Sequence, residues 1–135
     1  MALHIRDFRQ NDAAGLSRLN ATAHKLGDPR APSSDARILA GLREDRLAVA
    51  IWFKLEGKTG IISTIVVART ALWQSDVQEL IAEASLWLAS RGVTRIDIKD
   101  IPEGSALLAG LLDMHFEADE RAGVMRRLVP ARSAA

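Results

Sequence analysis

A strand, a short loop and a helix follow one another between Gly60 and Gly92, and this segment constrains the fold more than any other part of the chain. Residues 60–68 read GIISTIVVA and predict a strand, and the helix that follows ends at Gly92. Proteins use a strand, a loop and a helix N-terminus in this order to bind phosphate groups. The loop, residues 69–76, contains no glycine. The organisation therefore favours a nucleotide-type cofactor, whereas the loop residues disfavour the usual way of binding one.

The helix of this segment shows an apolar stripe at helical spacing. The stripe consists of Val77, Leu80, Ile81, Ala84, Trp87 and Leu88. Ser75 followed by Gln78 matches a capping box and places the helix cap at Ser75, and Gly92 can end the helix in a left-handed conformation. Because a helix of about four turns connects residues 60–68 to the next predicted strand, residues 93–98, these two strands should run parallel.

The strand at residues 93–98 alternates in polarity. Ile96 and Ile98 point to one side, whereas Arg95 and Asp97 point to the other. A parallel strand that is covered on both faces is more uniformly apolar. We therefore expect one face of this strand to be wet or to line a cleft, and we favour a surface charge over a cleft residue for Asp97.

The outer elements follow from turn residues and periodicity. Residues 3–8 alternate in polarity and predict a first strand. A first helix should follow and stop at Gly27 and Pro29, because an apolar stripe at helical spacing precedes them. That stripe consists of Leu16, Leu19, Ala23 and Leu26. Residues 102–114 predict a further helix, and residues 124–129 predict a last strand.

Residues 37–43 fit either a helix or a strand. We favour a strand, because Glu44 and Asp45 are typical of a hairpin tip that leads into residues 47–53. A second turn then leads to residues 60–68. The sequence thus predicts three consecutive antiparallel strands before the long helix.

The composition bounds the class of protein. A chain of 135 residues is large enough for one domain, which we place at residues 1–130 with a frayed tail at 131–135. Eighteen basic and seventeen acidic side chains nearly cancel, which gives no electrostatic case for binding nucleic acid or an anionic membrane. No apolar run approaches the ~20 residues that span a bilayer, and the charged N-terminus is not typical of a signal peptide. A cytoplasmic protein is expected.

Four segments, in this order, resemble the Gcn5-related N-acetyltransferase superfamily over about residues 3 to 129. They are HIRDFRQNDAA (4–14), IISTIVVA (61–68), WLASRGVTRI (87–96) and LLDMHFE (111–117). The resemblance implies a mixed, mostly antiparallel α/β sheet with a central parallel βαβ pair and helices on both faces. It also implies an N-acetyltransferase that binds acetyl-CoA between splayed parallel strands, through the backbone of Val66, Val67 and Ala68.

Two departures from the family pattern bear on activity. The family's cofactor loop, Gln/Arg-x-x-Gly-x-Gly/Ala, falls on residues 72–77, where Ser75 and Val77 stand at the glycine positions. Side chains at those positions obstruct the approach of the backbone to a pyrophosphate, and Asp76 would add a negative charge beside it. The alternative for Asp76 is an acid that suits the dipole of the helix N-terminus, which explains the residue well. The tyrosine with which many members protonate the leaving thiolate corresponds to Leu111, and the chain contains no tyrosine.

Several residues are candidates for a site. His115 is the strongest candidate for acid–base catalysis, because an imidazole titrates near neutrality. Arg69 can bind a phosphate and Trp73 can stack on an adenine; the alternatives are a solvated arginine and a tryptophan that covers the core. Gln74 and Ser75 complete the candidate cofactor-binding loop. The histidines lack the spacing of metal ligands, so no metal is expected.

Two functions remain open from the sequence. The first is an acyl-CoA-dependent N-acetyltransferase that acts on a small-molecule or peptide amine through a non-standard loop. The second is a non-catalytic module with the same fold that binds a ligand or dimerises. If Leu86 clusters with Trp73, the two would form a homodimer patch. Fold alone does not choose between these functions.

Overall fold

The computed structural model describes residues 3–27, 36–99, 101, 105–119, 121 and 123–129. These residues form one mixed sheet and three α-helices. The strands are β1 (His4–Asp7), β2 (His24–Leu26), β3 (Arg37–Arg43), β4 (Arg46–Glu56), β5 (Thr59–Val67), β6 (Arg95–Lys99), β7 (Glu117–Asp119) and β8 (Val124–Leu128). The helices are α1 (Ala13–Asn20), which follows a 3₁₀ turn at Gln10–Asp12, α2 (Trp73–Ala89) and α3 (Ala106–Asp113).

The sheet has the order β1-β3-β4-β5-β6-β8-β7, and β2 pairs with β5 outside this path. β5 and β6 run parallel across the α2 crossover, whereas the other pairs are antiparallel. The predicted fold class, the antiparallel run of β3, β4 and β5 and the parallel pair are therefore confirmed. The preference for a strand over a helix at residues 37–43 is also confirmed.

Helices cover the two faces of the sheet separately. Because side chains alternate along a strand, Val49, Ile51 and Phe53 of β4 enter the main core with α2 and α3. Ala50 and Trp52, between them, pack on the opposite face with Leu19 of α1 in a smaller core. No helix within the described ranges is long and apolar enough to cross a membrane.

The first helix is shorter than the sequence predicts. It ends at Asn20, and His24–Leu26 form strand β2 instead of its last turn. Ala23 and Leu26 fit one helical stripe, but the structure buries Ala23 in the smaller core and Leu26 in the main core. A single helix face cannot reach both faces of a sheet. Pairing with β5 therefore overrides the local helical pattern.

Helix α2 begins two residues before its predicted cap. The amide of Asp76 already bonds the Leu72 carbonyl at 2.9 Å, so the helix starts at Trp73 and Leu72 is its cap residue. The prediction of a Ser75 cap is wrong, because Ser75 lies exposed inside the first turn. The predicted end is confirmed by Gly92, which adopts a φ of 82°.

Near the C-terminus the structure adds one strand and defines the cap of α3. The Ser105 hydroxyl accepts a hydrogen bond from the Leu108 amide at 3.2 Å and caps the helix. The predicted start of this helix, at residues 102–104, lies outside the described residues, as do residues 131–135. Strand β7, which the sequence analysis missed, forms the edge of the sheet beside β8.

Candidate functional site

A β-bulge divides strand β5 into two halves. Trp52 of β4 lies opposite Thr64, but its neighbour Phe53 lies opposite Ile62, so Ser63 is the extra residue on β5. A bulge bends its strand and increases the local twist, and bulges are common beside active sites. In this sheet the bulge marks the point where the partner of β5 changes.

The two halves of β5 have different neighbours on the edge that faces away from β4. Before the bulge, Thr59 to Ile62 pair in parallel with β6. After it, Ile65, Val66 and Val67 pair antiparallel with Leu26, Lys25 and His24 of β2. Strand β6 ends its pairing with β5 at Ile98, so the two parallel strands separate beyond this point. Strand β2 fills the cleft that opens between them.

A glycine seats β2 against the bulge. Gly27 has a φ of 75°, and a Cβ added there would lie 2.3 Å from the Ser63 carbonyl oxygen and 2.8 Å from Thr64 Oγ1. Contacts this short leave no room for a side chain. Gly27 therefore does more than end a local element, because it permits β2 to lie directly on the backbone of β5.

Trp73 lies across the mouth of the cleft. Its indole packs on the imidazole of His24, with ring centroids 5.0 Å apart. On α3, a Cβ at Gly110 would meet the indole Cη2 of Trp73 at 2.6 Å, so the ring lies against the bare helix backbone. Trp73 thus links α2, β2 and α3. Burial, and secondarily the charge of Arg69, lower the pKa of His24 below its usual 6.5.

The negative charge at the start of α2 is compensated inside the protein. The Asp76 carboxylate is 1% exposed and accepts a short hydrogen bond from the Arg43 guanidinium at the end of β3. The same hydrogen bond raises the pKa of Arg43. The expectation that Asp76 presents a negative charge to phosphates beside the loop therefore needs correction. Its carboxylate is an internal ion-pair partner near the positive end of the helix dipole.

The structure brings part of the predicted cofactor-binding set together. Val66 and Val67 form the edge that β2 covers. The Ala68 amide donates to the Ala48 carbonyl at 2.8 Å, and the Ala68 carbonyl accepts from the Thr70 amide at 2.9 Å. Both peptide groups of Ala68 are thus engaged beside the cleft.

The loop residues surround the same cleft mouth. Arg69 is exposed and near enough to His24 to influence its pKa. Gln74 and Ser75 are exposed in the first turn of α2, where helix amides lack intrahelical partners. Arg69, Trp73, Gln74 and Ser75 therefore lie where an anionic group at this end of the cleft would meet a cation and helix amides.

His115 lies elsewhere. It follows α3 with a φ of 70° and lines a cavity of about 740 Å³ beside the β7–β8 edge, with Arg127 and Leu128. Arg127 donates to the Met114 carbonyl, next to His115, and pairs with Ile96 of β6, whereas the cleft opens beyond Ile98. Two residues of strand separate these points by about 7 Å. The structure therefore does not bring the predicted acid–base residue to the cleft.

Asp97 is a buried ion-pair partner. It is 5% exposed, and Arg126 of β8 donates to its two carboxylate oxygens at 2.8 and 3.2 Å. Arg126 also bonds Asp119 at 2.6 Å, and the hydrogen bond with Asp97 raises the pKa of Arg126. The preference for a surface charge at Asp97 is therefore wrong. The polar face expected for β6 is present, because Arg95, Asp97 and Lys99 line a cavity together, and Asp97 joins a charged network across β6, β8 and β7.

The proposed patch of Leu86 and Trp73 does not form. Leu86 is 69% exposed, but thirteen residues of helix α2 separate it from Trp73, a rise of about 20 Å. Trp73 meanwhile packs inward on His24. The two residues are not neighbours on one surface.

Sequence comparison does not place the chain in a group, because no protein-family profile and no curated protein matches it. Solved structures do match. PaiA N-acetyltransferase from Thermoplasma acidophilum, solved in complex with coenzyme A, gives a TM-score of 0.77 at 11% identity over 95% of this chain and 99% of that chain. The chain has the GNAT fold, that of the Gcn5-related N-acetyltransferases.

Two further structures show the breadth of the GNAT match. A GNAT-family acetyltransferase from Staphylococcus aureus Mu50 gives a TM-score of 0.78 at 10% identity over 95% of this chain and 99% of that chain. The ribosomal-protein-S18-alanine N-acetyltransferase of Escherichia coli gives 0.71 at 14% identity over 98% and 97%. The three matches cover 95–98% of this chain, so the fold is shared over almost its whole length.

Proposed function

We propose that this GNAT-fold protein is an acyl-CoA-dependent N-acetyltransferase. The observation that carries the proposal is the cleft between β5 and β6, next to the N-terminus of α2. Its wall is the backbone edge of Ile65–Val67, which already accepts an extended chain in the form of β2. Support also comes from structural neighbours that are acetyltransferases, one of them solved with coenzyme A. The amine substrate is a small molecule or a peptide.

The residues of the cleft suit the chemistry of the cofactor. The pantetheine arm of CoA is an extended chain with two amides, and a strand edge offers the N–H and C=O groups that pair with amides. Arg69 and the first turn of α2 offer a cation and helix amides to the phosphates. Since Asp76 is paired with Arg43, it does not oppose those phosphates. Because the loop has no glycine, we assign binding of the phosphates to Arg69, Gln74 and Ser75.

Acetyl-CoA, when bound, supplies an activated thioester for attack by an amine. At the inner end of the cleft, the residues of this chain would bind and orient the thioester and the amine, and they would exclude water. Leu111, at the position where the resemblance places a tyrosine, is fully buried in the main core with Ile98 and carries no transferable proton. We therefore assign Leu111 a packing role. The rate enhancement would come from orientation of the reactants.

A second candidate function is supported by the same cleft. Because β2 occupies the edge and Trp73 lies across the mouth, the described conformation leaves the cleft closed. A non-catalytic GNAT-fold module, which binds a ligand or a second copy of itself, would need no open cleft. We propose that the protein is cytoplasmic, whichever of the two functions it has.

Calorimetric titration of acetyl-CoA, followed by a thioester-consumption assay with a panel of primary amines, tests the first function. We expect saturable binding of acetyl-CoA and acetylation of at least one class of amine. 3′-Phosphoadenosine 5′-diphosphate, which keeps the nucleotide and both 5′-phosphates of CoA but lacks the pantetheine arm, serves as a matched ligand and should bind at least tenfold more weakly. Absence of binding at millimolar acetyl-CoA, both to the native chain and to a variant with β2 displaced, would leave only the non-catalytic function.

A further inference from the structure

We propose that β2 is a displaceable strand: residues 24–26 close the cleft from inside the chain and are exchanged for the extended arm of the acyl-CoA. This inference rests on the proposed function, because it names the cofactor as the competing occupant. It makes β2 an autoinhibitory element of the GNAT fold. The apparent affinity for the cofactor would then depend on the fraction of molecules in which β2 has left β5.

Strand β2 is weakly held. It is three residues long and, among the described strands, pairs with β5 alone, whereas β6 pairs with both β5 and β8. Lys25 is exposed, and its ammonium bonds the Asn20 carbonyl at 3.2 Å within the same segment. Only Leu26 enters the main core from this strand. Elements with few buried contacts are those that open first under native conditions.

A ligand can replace the main-chain hydrogen bonds and the apolar packing that β2 contributes. Strand addition to an exposed edge draws its affinity from main-chain hydrogen bonds. An extended ligand with amide groups can satisfy the same edge at Ile65–Val67. Its methylene and methyl groups can fill the space that the Leu26 side chain vacates. Exchange therefore leaves neither an unpaired strand edge nor an empty apolar cavity, either of which would oppose opening.

One close packing contact holds β2 at each of its two ends. At one end Gly27 lies on the Ser63 carbonyl, where a Cβ would approach to 2.3 Å. At the other end His24 packs on Trp73, whose ring rests on Gly110. A single substitution can disrupt each of these two contacts. The position of β2 can therefore be changed without touching β5.

Gly27→Ala is the sharpest test, because the added methyl must push β2 off the bulge. Gly57→Ala is its matched control: Gly57 has a φ of 63°, and a Cβ there meets nothing within 4 Å. Both variants carry the same left-handed backbone cost, so their difference isolates the clash with Ser63. Calorimetry with coenzyme A should show at least tenfold tighter binding to Gly27→Ala than to the native chain. Gly57→Ala should stay within twofold of the native chain.

Hydrogen exchange supplies a readout that needs no cofactor. In the native chain we expect the amides in β2 and those of Ile65 and Val67, which point toward β2, to exchange at least tenfold faster than those at Val49–Ile51. Protection in β2 equal to that at Val49–Ile51 would overturn the proposal. If Gly27→Ala does not fold, Leu26→Ala, which removes the buried anchor, should give the same gain in CoA affinity.

The outcomes separate the two proposals. Equal CoA affinity in the native chain and Gly27→Ala would overturn the displaceable strand and leave the acetyltransferase standing. If no variant binds CoA, the acetyltransferase fails, and hydrogen exchange alone decides whether β2 opens. Tighter binding to both Gly27→Ala and Gly57→Ala would also contradict the proposal, because it would trace the effect to general destabilisation.

Discussion

The imidazole of His24 packs against the indole of Trp73 with ring centroids 5.0 Å apart, and this contact joins β2 to the first residue of α2. Burial disfavours the charged imidazole, and Arg69 adds a smaller repulsion, so the pKa of His24 lies below its usual 6.5. Burial of His24 in the closed cleft therefore favours its uncharged form.

A pH dependence of stability follows from this shift. The unfolded chain takes up a proton on His24 near pH 6.5, whereas the folded chain takes it up only at lower pH. The free energy of unfolding should therefore fall as the pH drops below about 6.5, by at most about 1.4 kcal/mol per pH unit from this group. Urea titrations between pH 7.5 and 5 measure it. His24→Gln should flatten the slope, and His4→Gln, which removes an exposed imidazole from β1, is the control.

A second acid-sensitive group acts in a lower window and does not confuse the test. Arg6 donates to both carboxylate oxygens of Asp12 at 2.6 and 2.8 Å and lowers the pKa of Asp12 below 3.8. The stability that this pair contributes is present above about pH 3.8 and is lost as the pH falls further. A slope that survives His24→Gln between pH 7.5 and 5 would contradict the assignment to His24.

Gly110 and Trp73 should show strong energetic coupling. Alanine usually stabilises a helix interior over glycine by about 0.5–1 kcal/mol, but here its Cβ would meet Trp73 Cη2 at 2.6 Å. Overpacking of this kind costs about 1–3 kcal/mol, so Gly110→Ala should destabilise the native chain. In a Trp73→Ala background the same change should stabilise by about 0.5–1 kcal/mol. Chemical denaturation of the four proteins measures this cycle, and additive effects would contradict the packing described.

His115 should be replaceable by glycine with a gain in stability. Its amide bonds the Leu112 carbonyl and the Phe116 amide bonds the Leu111 carbonyl, a helix end that favours glycine. With a φ of 70°, the histidine carries a steric cost of about 1 kcal/mol that glycine avoids. Thermal and urea unfolding should show His115→Gly more stable by about that amount. Leu112→Gly, at a largely exposed position inside α3, should instead destabilise by about 1 kcal/mol.

The same variant tests the predicted catalytic role of His115. His115 lines its cavity beside Arg127, which pairs with Ile96 of β6 before the point where the cleft opens. If the cleft is the reaction site, His115→Gly should retain acetyl transfer within a few fold. A loss of more than a hundredfold, together with intact CoA binding, would return His115 to a catalytic role and move the site.

The sheet could be predicted because its signals are local. Alternation along residues 3–8, the hairpin tip at Glu44 and Asp45 and the apolar run at residues 60–68 each identify a strand without reference to the rest of the chain. The parallel pair followed from the length of the crossover helix. Order and pairing of β3, β4, β5 and β6 were therefore within reach of the sequence.

The cleft could not be predicted because its determinants are non-local. His24–Leu26 fit a helical stripe, and only the free edge of β5 beyond the bulge makes them a strand. Asp76 is typical of a helix N-terminus, and nothing near it in the sequence points to its partner Arg43. Gly27 was interpreted as a helix stop, although its close approach to Ser63 is what the structure requires of it. Composition of a single segment does not report such pairings.

One measurement tests the central claim most directly: an NMR titration of the native chain with coenzyme A, in which the backbone amides are followed individually. The account predicts that amides of Ile65–Val67 and His24–Leu26 shift along one saturating curve, while those near His115 and Leu128 do not move. Shifts confined to the cavity beside β7 and β8, with the amides of β2 and β5 unchanged at saturation, would contradict it.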